Sequence, residues 1–355
     1  MTMVNLDDPE VYRQLDPSHM LARIHELPLQ CRQAWQRASE LELPGDYAKV
    51  DKIVILGMGG SAIGGDFLHS LAALEIGPLV FVHRDYVPPA FVDSDTLLIA
   101  SSYSGNTEET LSAFGQALEG PAKKLAITTG GELKTIAEER KIPLLTIEYV
   151  SPPRAALVYS FVSLLGICQQ LGLLADKSRD IAEMLEVLEE LSPKIDERSP
   201  LAQNPAKQLA NRLLGHVGVV YGAGILSEVA HRWKTQLNEN SKNWAFYEIL
   251  PELNHNAVVG YEFPPEMADK MFVVFLRSPS LHRRILTRYQ VTSGILQKAG
   301  VSYRVVEATG VSVLSQMMSL VLFGDYVSYY LALLNQADPS PVSVIDYLKT
   351  ELAQA

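Results

Sequence analysis

The chain has 355 residues, is 47% apolar and carries a net charge of −11, which suits a globular α/β protein with more than one core and argues against a nucleic-acid surface. An anionic substrate would have to be caught by local donors, because the global field does not attract it. Two isolated cysteines, Cys31 and Cys168, exclude a disulfide framework and a cysteine metal site, while an acidic N-terminus and the lack of an uninterrupted apolar run of about 18 residues argue against secretion and membrane spanning, so a cytoplasmic protein is expected.

Residues 9–48 read as helix and form an N-terminal arm over 1–48, because Leu15, Met20, Ile24, Leu27, Cys31 and Trp35 fall on one face. From residue 52 the pattern changes to short apolar runs at 53–56, 79–82, 97–100, 125–128 and 144–147, separated by helical stretches. Runs without alternation, joined by crossovers, indicate a parallel sheet buried on both faces. The first domain is drawn over 49–154, where Pro152-Pro153 breaks the pattern. A helical region and a polar, proline-bearing linker follow over 155–200. Strand-like runs at 217–221, 244–249, 271–276 and 303–306, with a long apolar helix over 313–334, then make a second domain over 201–355. The predicted fold class is α/β, two domains each built as a flavodoxin-like or Rossmann-like parallel sheet flanked by helices.

The halves share a motif. Leu56-Gly57-Met58-Gly59-Gly60-Ser61-Ala62 matches Tyr221-Gly222-Ala223-Gly224-Ile225-Leu226-Ser227, a strand, a glycine turn and a helix in each case. Two related domains facing each other would put a ligand between them. A second turn, Ser101-Ser102-Tyr103-Ser104-Gly105-Asn106-Thr107, has no counterpart of its kind in the second half, so an anion is expected on the first domain alone. Free backbone N–H groups, a helix N-terminus and neutral hydroxyls suit a single phosphate on a small polar molecule. The plainer reading is that Ser101 and Thr107 cap the next helix, and the two roles can coexist. Gly57-x-Gly59-x-x-Ala62 also satisfies a dinucleotide fingerprint, with Asp85 placed as a ribose-binding carboxylate, so a nicotinamide dehydrogenase remains an alternative.

The second half gathers Asn238-Glu239-Asn240-Ser241-Lys242, Glu248 and Pro251-Glu252-Leu253-Asn254-His255-Asn256. A carboxylate that moves a carbon-bound proton and an imidazole that works on hydroxyl oxygens suffice for sugar isomerisation without metal. From spacing alone, a solvated Glu239 and a satisfied loop histidine are the simpler reading.

Together the motifs Gly57-Met58-Gly59-Gly60-Ser61, Ser102-Tyr103-Ser104-Gly105-Asn106-Thr107, Glu239-Asn240-Ser241-Lys242 and Pro251-Glu252-Leu253-Asn254-His255-Asn256 resemble those of the bifunctional phosphoglucose/phosphomannose isomerases, built from two sugar-isomerase (SIS) domains. The resemblance runs from about residue 52 to the C-terminus. It implies that Gly60, Ser61, Ser102, Ser104 and Thr107 hold the phosphate of a hexose 6-phosphate, that Glu239 moves a proton between C1 and C2, and that His255, supplied by the neighbouring subunit of a homodimer, helps to open the sugar ring. Ile345-Asp346-Tyr347-Leu348-Lys349 resembles the segment bearing the family's lysine, and Arg154 stands where an arginine steadies the enediolate. The family's hydroxyl linked to mannose 6-phosphate corresponds to Ser340 or Ser343. No metal or redox cofactor is implied, and no nucleic-acid or membrane partner. A non-catalytic SIS-type sugar-phosphate sensor is the main alternative, but a sensor could lose Glu239, His255 and Lys349, and all three are present.

Overall fold

The computed structural model describes residues 4–352 and 354; positions 1–3 of the expected arm, and 353 and 355 of the expected second domain, lie outside the described residues. The chain forms two compact units, one from Glu26–Glu186 with Ser312–Ser315 and one from Met1–His25, Val187–Val311 and Gln316–Ala355. They are called the first and second unit here.

The expected arm is three helices, α1 (Pro9–Leu15), α2 (Met20–His25) and α3 (Leu27–Glu40). Pro17 pushes Asp16 out of helical geometry, and the Asp16 carboxylate then accepts the Met20 and Leu21 N–H groups at 2.7 and 2.9 Å, so that it caps α2. Pro28 lies in the first turn of α3. These breaks divide the 1–48 segment: α1 and α2 belong to the second unit and α3 to the first.

The first unit carries β1 (Lys52–Leu56), α4 (Gly59–Ala72), β2 (Leu79–His83), β3 (Thr96–Ser101), α5 (Glu108–Ala117), β4 (Lys123–Thr128), α6 (Gly131–Glu139), β5 (Leu144–Thr146) and α7 (Leu157–Gln170). The strands are all parallel, in the order β2-β1-β3-β4-β5. Every residue of β3 is buried, as a strand covered on both faces requires. The connection leaving β1 runs to β2 on one side and that leaving β3 runs to β4 on the other, and the crevice outside the ends of β1 and β3 is where such a sheet receives ligands.

Helix α8 (Ser178–Ile195) runs on through Pro193 into the expected linker, because its stripe of Ile181, Met184, Leu188 and Ile195 stays buried to the last turn. The second unit continues with α9 (Pro205–Leu213), β6 (Val217–Ala223), α10 (Ser227–Glu239), β7 (Ala245–Leu250), β8 (Met271–Arg277), α11 (Arg283–Lys298), β9 (Ser302–Glu307), α12 (Val313–Leu334) and α13 (Ser343–Leu352). Its sheet, β7-β6-β8-β9, is also parallel and repeats the first four positions of the other order. Helix α12 is long and apolar enough to cross a membrane, yet 94% of its most apolar window is buried inside the protein; it is a core helix. Cys31 and Cys168 are free and buried, and burial pushes the Cys168 thiol up to about 12, which leaves it inert near neutral pH.

Candidate active site

In the first unit, the two turns singled out in the sequence leave β1 and β3 side by side. Gly59 adopts φ +51°, a left-handed angle that glycine accepts without strain, and α4 opens there with no side chain capping its first turn. The Ser61 hydroxyl is buried and accepts the Tyr103 N–H at 3.3 Å, which joins the glycine turn to the hydroxyl turn. Within the latter, Ser102 Oγ lies 2.8 Å from Thr107 Oγ1 and accepts the Gly105 N–H at 3.1 Å, while Ser104 Oγ accepts the Asn106 N–H at 3.2 Å. Gly105 has no alternative: a Cβ there would stand 1.8 Å from the Gly130 carbonyl oxygen.

Thr107 occupies the cap position of α5 but makes no side-chain cap hydrogen bond. The capping reading therefore does not account for its hydroxyl, which pairs with Ser102 instead. The first N–H groups of a helix that follows such a turn are suited to an anion.

Arg154 is 3% exposed and enters the same cluster through its backbone. A Cβ on Gly60 would lie 3.2 Å from the Pro153 carbonyl oxygen and 3.7 Å from Arg154 Cα, so the missing side chain lets that segment lie against the glycine turn. Tyr103 holds the segment from the other side: its hydroxyl accepts the Ser151 N–H at 2.9 Å and donates to the Tyr149 carbonyl. Gly60, Ser61, Ser102, Ser104, Thr107 and Arg154 thus converge around two turns. Tyr103, quoted only as part of a motif in the sequence, is the residue that ties them.

In the second unit, Glu239 is the last residue of α10. Because β6 and β7 are parallel, α10 must return the chain to the edge of the sheet where β7 begins. Glu239 therefore stands at the N-terminal edge of the strands, opposite Gly222 and Gly224. His255 lies just beyond the other end of β7, in a short 3-10 turn over Glu252–His255, and six residues of strand put about 20 Å between the two edges. The histidine is exposed. Its neighbours fasten the loop, with Leu253 buried, Asn254 Nδ2 donating to Thr292 Oγ1 at 2.8 Å, and Arg288 donating to Asn254 Oδ1 at 3.2 Å.

Glu239 is instead brought to the C-terminal segment. Lys242 Nζ donates to the Glu239 carbonyl at 2.5 Å, to that of Pro341 at 2.8 Å and to that of Pro339 at 3.4 Å. Ser340, half-buried, sits between the two prolines. Ser343 and Lys349 follow on α13, where both are exposed.

The turn after β8 corrects one expectation. Where the first unit has its hydroxyl turn, the second has Ser278-Pro279-Ser280, and Ser278 Oγ accepts the Ser280 N–H at 3.0 Å much as Ser102 accepts that of Gly105. Ser278 then donates to the buried Gln316 side chain. The counterpart exists in reduced form, with its hydroxyl turned into the protein, and the absence of the Gly-Asn-Thr continuation hid it in the sequence.

Residues 202–352 match the family model for the bacterial phospho-glucose isomerase C-terminal SIS domain. The chain is 41% identical over 336 residues to a bifunctional phosphoglucose/phosphomannose isomerase of Caldicellulosiruptor bescii, covering 94% of this chain and 99% of that one. It is 37% identical to the protein of the same name from Aquifex aeolicus, covering 88% and 93%. Among solved structures, the C-terminal domain of glucosamine-fructose-6-phosphate aminotransferase from Francisella tularensis superposes with a TM-score of 0.69 at 18% identity, covering 90% of this chain and 97% of that one, and so shares the fold.

Proposed function

Given that the chain belongs to the bifunctional phosphoglucose/phosphomannose isomerase family, we propose that it interconverts fructose 6-phosphate with glucose 6-phosphate and with mannose 6-phosphate, through a cis-enediol and without a metal. The observation that carries this reading is the hydroxyl turn, where Thr107 leaves its helix uncapped and pairs with Ser102 beside the buried Ser61. Neutral hydroxyls and backbone N–H groups at a helix start suit a phosphate that is held and not transferred. Its binding energy orients reacting carbons at the far end of the sugar.

Glu239 acts as the base that takes the C2 proton and returns it at C1, since a carboxylate suits a proton next to a carbonyl. Arg154 and Lys349 stabilise the oxygens of the enediolate. His255 assists ring opening as a proton carrier for ring and hydroxyl oxygens. Once C2 is planar, protonation from one face gives the glucose epimer and from the other the mannose epimer, so a tolerant pocket around C2 replaces a second catalytic set. Ser340 and Ser343 are the candidates for that wall.

The protein works as a homodimer in which His255 serves the partner's site. Glu239 and His255 stand at opposite edges of the same sheet, which supports this division. Free buried cysteines and hexose phosphate chemistry suit the cytoplasm, and glycolysis or gluconeogenesis.

A coupled assay for glucose 6-phosphate and mannose 6-phosphate formed from fructose 6-phosphate, run in chelator with no added nucleotide, tests the reaction. Turnover of both is expected. Activity abolished by chelator and restored by zinc would sink the metal-free mechanism, and an inert protein that still binds hexose phosphate would leave the sensor. For the dimer, co-refolding equal amounts of Glu239→Gln and His255→Ala subunits should restore roughly a quarter of wild-type activity per total site if pairing is random. Mixed dimers no more active than their parents would overturn the shared site.

A further inference from the structure

We propose that Lys242 is a positioning residue that fixes the general base against the wall around C2, and so sets the ratio of glucose to mannose product; this rests on the isomerase reading above.

Lys242 follows the end of α10 by three residues and adopts φ +58°, a left-handed angle that a lysine holds only where its surroundings over-determine it. Its ammonium reaches three backbone carbonyls. It satisfies the Glu239 carbonyl, one of the acceptors that a helix leaves unpaired at its C-terminus, and reaches the carbonyls of Pro341 and Pro339 from the same nitrogen. Those prolines flank Ser340, and each limits the freedom of the residue before it, so the short segment moves as one piece. One side chain therefore gauges the distance from the backbone of Glu239 to the backbone on either side of Ser340.

The rest of the turn is fastened independently. Asn240 Nδ2 donates to Ser328 Oγ at 3.0 Å, Ser241 Oγ to the Leu237 carbonyl at 2.5 Å, and Asn335 Nδ2 to the Ser241 carbonyl at 2.9 Å. Removing the ammonium therefore takes away the hydrogen bonds that join the Glu239 turn to the Pro339 and Pro341 carbonyls, while the Glu239 turn keeps its own anchors. In an aldose-ketose isomerase the epimer formed depends on which face of the planar C2 meets the base. A wall displaced by a fraction of an ångström relative to that base alters this choice, and loss of near-attack geometry slows turnover without loosening a phosphate held elsewhere.

The test compares wild type, Lys242→Met and Lys242→Arg for initial rates of glucose 6-phosphate and mannose 6-phosphate formation from fructose 6-phosphate, with KM and thermal midpoint measured for each. Lys242→Met should lower kcat roughly tenfold with KM within about twofold, and should change the product ratio by about threefold or more. Lys242→Arg keeps donors but cannot place them on the same three oxygens, so its ratio should move in the same direction by less. Should Lys242→Met fail to fold, Lys242→Arg decides alone. A folded variant set with the wild-type product ratio overturns the proposal, even if both rates fall in parallel, because a purely structural lysine predicts that parallel fall. A wild type inert towards both hexose phosphates removes the isomerase reading and the positioning role with it.

Discussion

Both units end their first strand in a glycine turn whose third residue has nearly the same left-handed angle, φ +51° at Gly59 and +52° at Gly224. Beyond that residue they part. The first unit continues with Gly60 and Ser61, opens α4 at once and leaves its first turn uncapped by a side chain. The second continues with Ile225 and Leu226, both buried, and passes through a short 3-10 turn before α10 begins. After the third-ordered strand, Ser102 pairs with another hydroxyl in one unit, whereas Ser278 is tied to Gln316 in the other. The shared scaffold supplies the strand order and the turn, and the side chains that fill or vacate the turn decide whether an anion can be held there. In the second unit the proposed base, Glu239, lies at the opposite end of α10.

The sharpest way to break this division of labour is to remove one half of it. Glu239→Gln should lower kcat at least a few hundredfold with KM nearly unchanged, the scale of a lost general base. Steady-state kinetics on fructose 6-phosphate checks this, and a change confined to KM would move substrate anchoring into the second unit.

Stability offers a second contrast. Each unit ties distant segments with a lysine, Lys177 to Glu75 in the first and Lys207 in the second, where the fully buried ammonium reaches Asp7 at 2.9 Å and the Leu6 and Glu197 carbonyls at 2.8 and 2.9 Å. Lys207→Met should cost about 3 kcal/mol in chemical denaturation, since it strands buried acceptors. Burial raises the Asp7 carboxyl, but hydrogen bonds from Lys207 and the Leu201 N–H hold it below its ordinary 3.8. That pairing therefore stabilises the fold above about pH 3.8 and is lost as pH falls through the lower folded value. Acid titration of the Lys207→Met variant should lack this part of the pH dependence, and an unchanged acid limb would show that Asp7 contributes nothing to it.

Matched hydroxyl deletions sharpen the comparison of the turns. Ser102→Ala should raise KM for hexose phosphates, and the inhibition constant for inorganic phosphate, by about tenfold, the worth of one hydrogen bond to a charged group. Ser278→Ala should leave both constants alone while lowering the thermal midpoint. Equal kinetic effects would mean that the second turn also binds phosphate.

The smallest effect is expected at Gly60→Ala. The new methyl group would meet the Pro153 carbonyl at 3.2 Å, so the segment bearing Arg154 must yield by a few tenths of an ångström. A severalfold loss of kcat with unchanged inhibition by inorganic phosphate is the expected result; a variant with wild-type kcat would show that the Arg154 backbone tolerates the shift.

Much of this was legible before any coordinates. Continuous apolar runs marked the strands to within a residue or two, because a strand buried on both faces admits no polar alternation. The 313–334 helix appears with the expected bounds, and its all-round apolar surface is buried in the core. The glycine and hydroxyl turns were readable from side-chain chemistry at strand ends. Apolar spacing over 9–48 predicts one continuous helix, whereas Pro17 and Pro28 break the backbone whatever face the side chains share.

Sequence alone determined which segments are buried and which turns offer donors, since both follow from local period and residue type. It did not reveal that residues 4–25 join the second unit, that Tyr103 grips Ser151, or that Lys242 grips Pro339 and Pro341. Nor did it reveal that Glu239 and His255, only 16 positions apart in sequence, stand at opposite edges of one sheet. Those relations join residues that no periodicity links. They exist because the parallel crossover carries α10 back along the sheet and β7 forward again, and because packing brings carbonyl groups some hundred residues away within reach of a single ammonium.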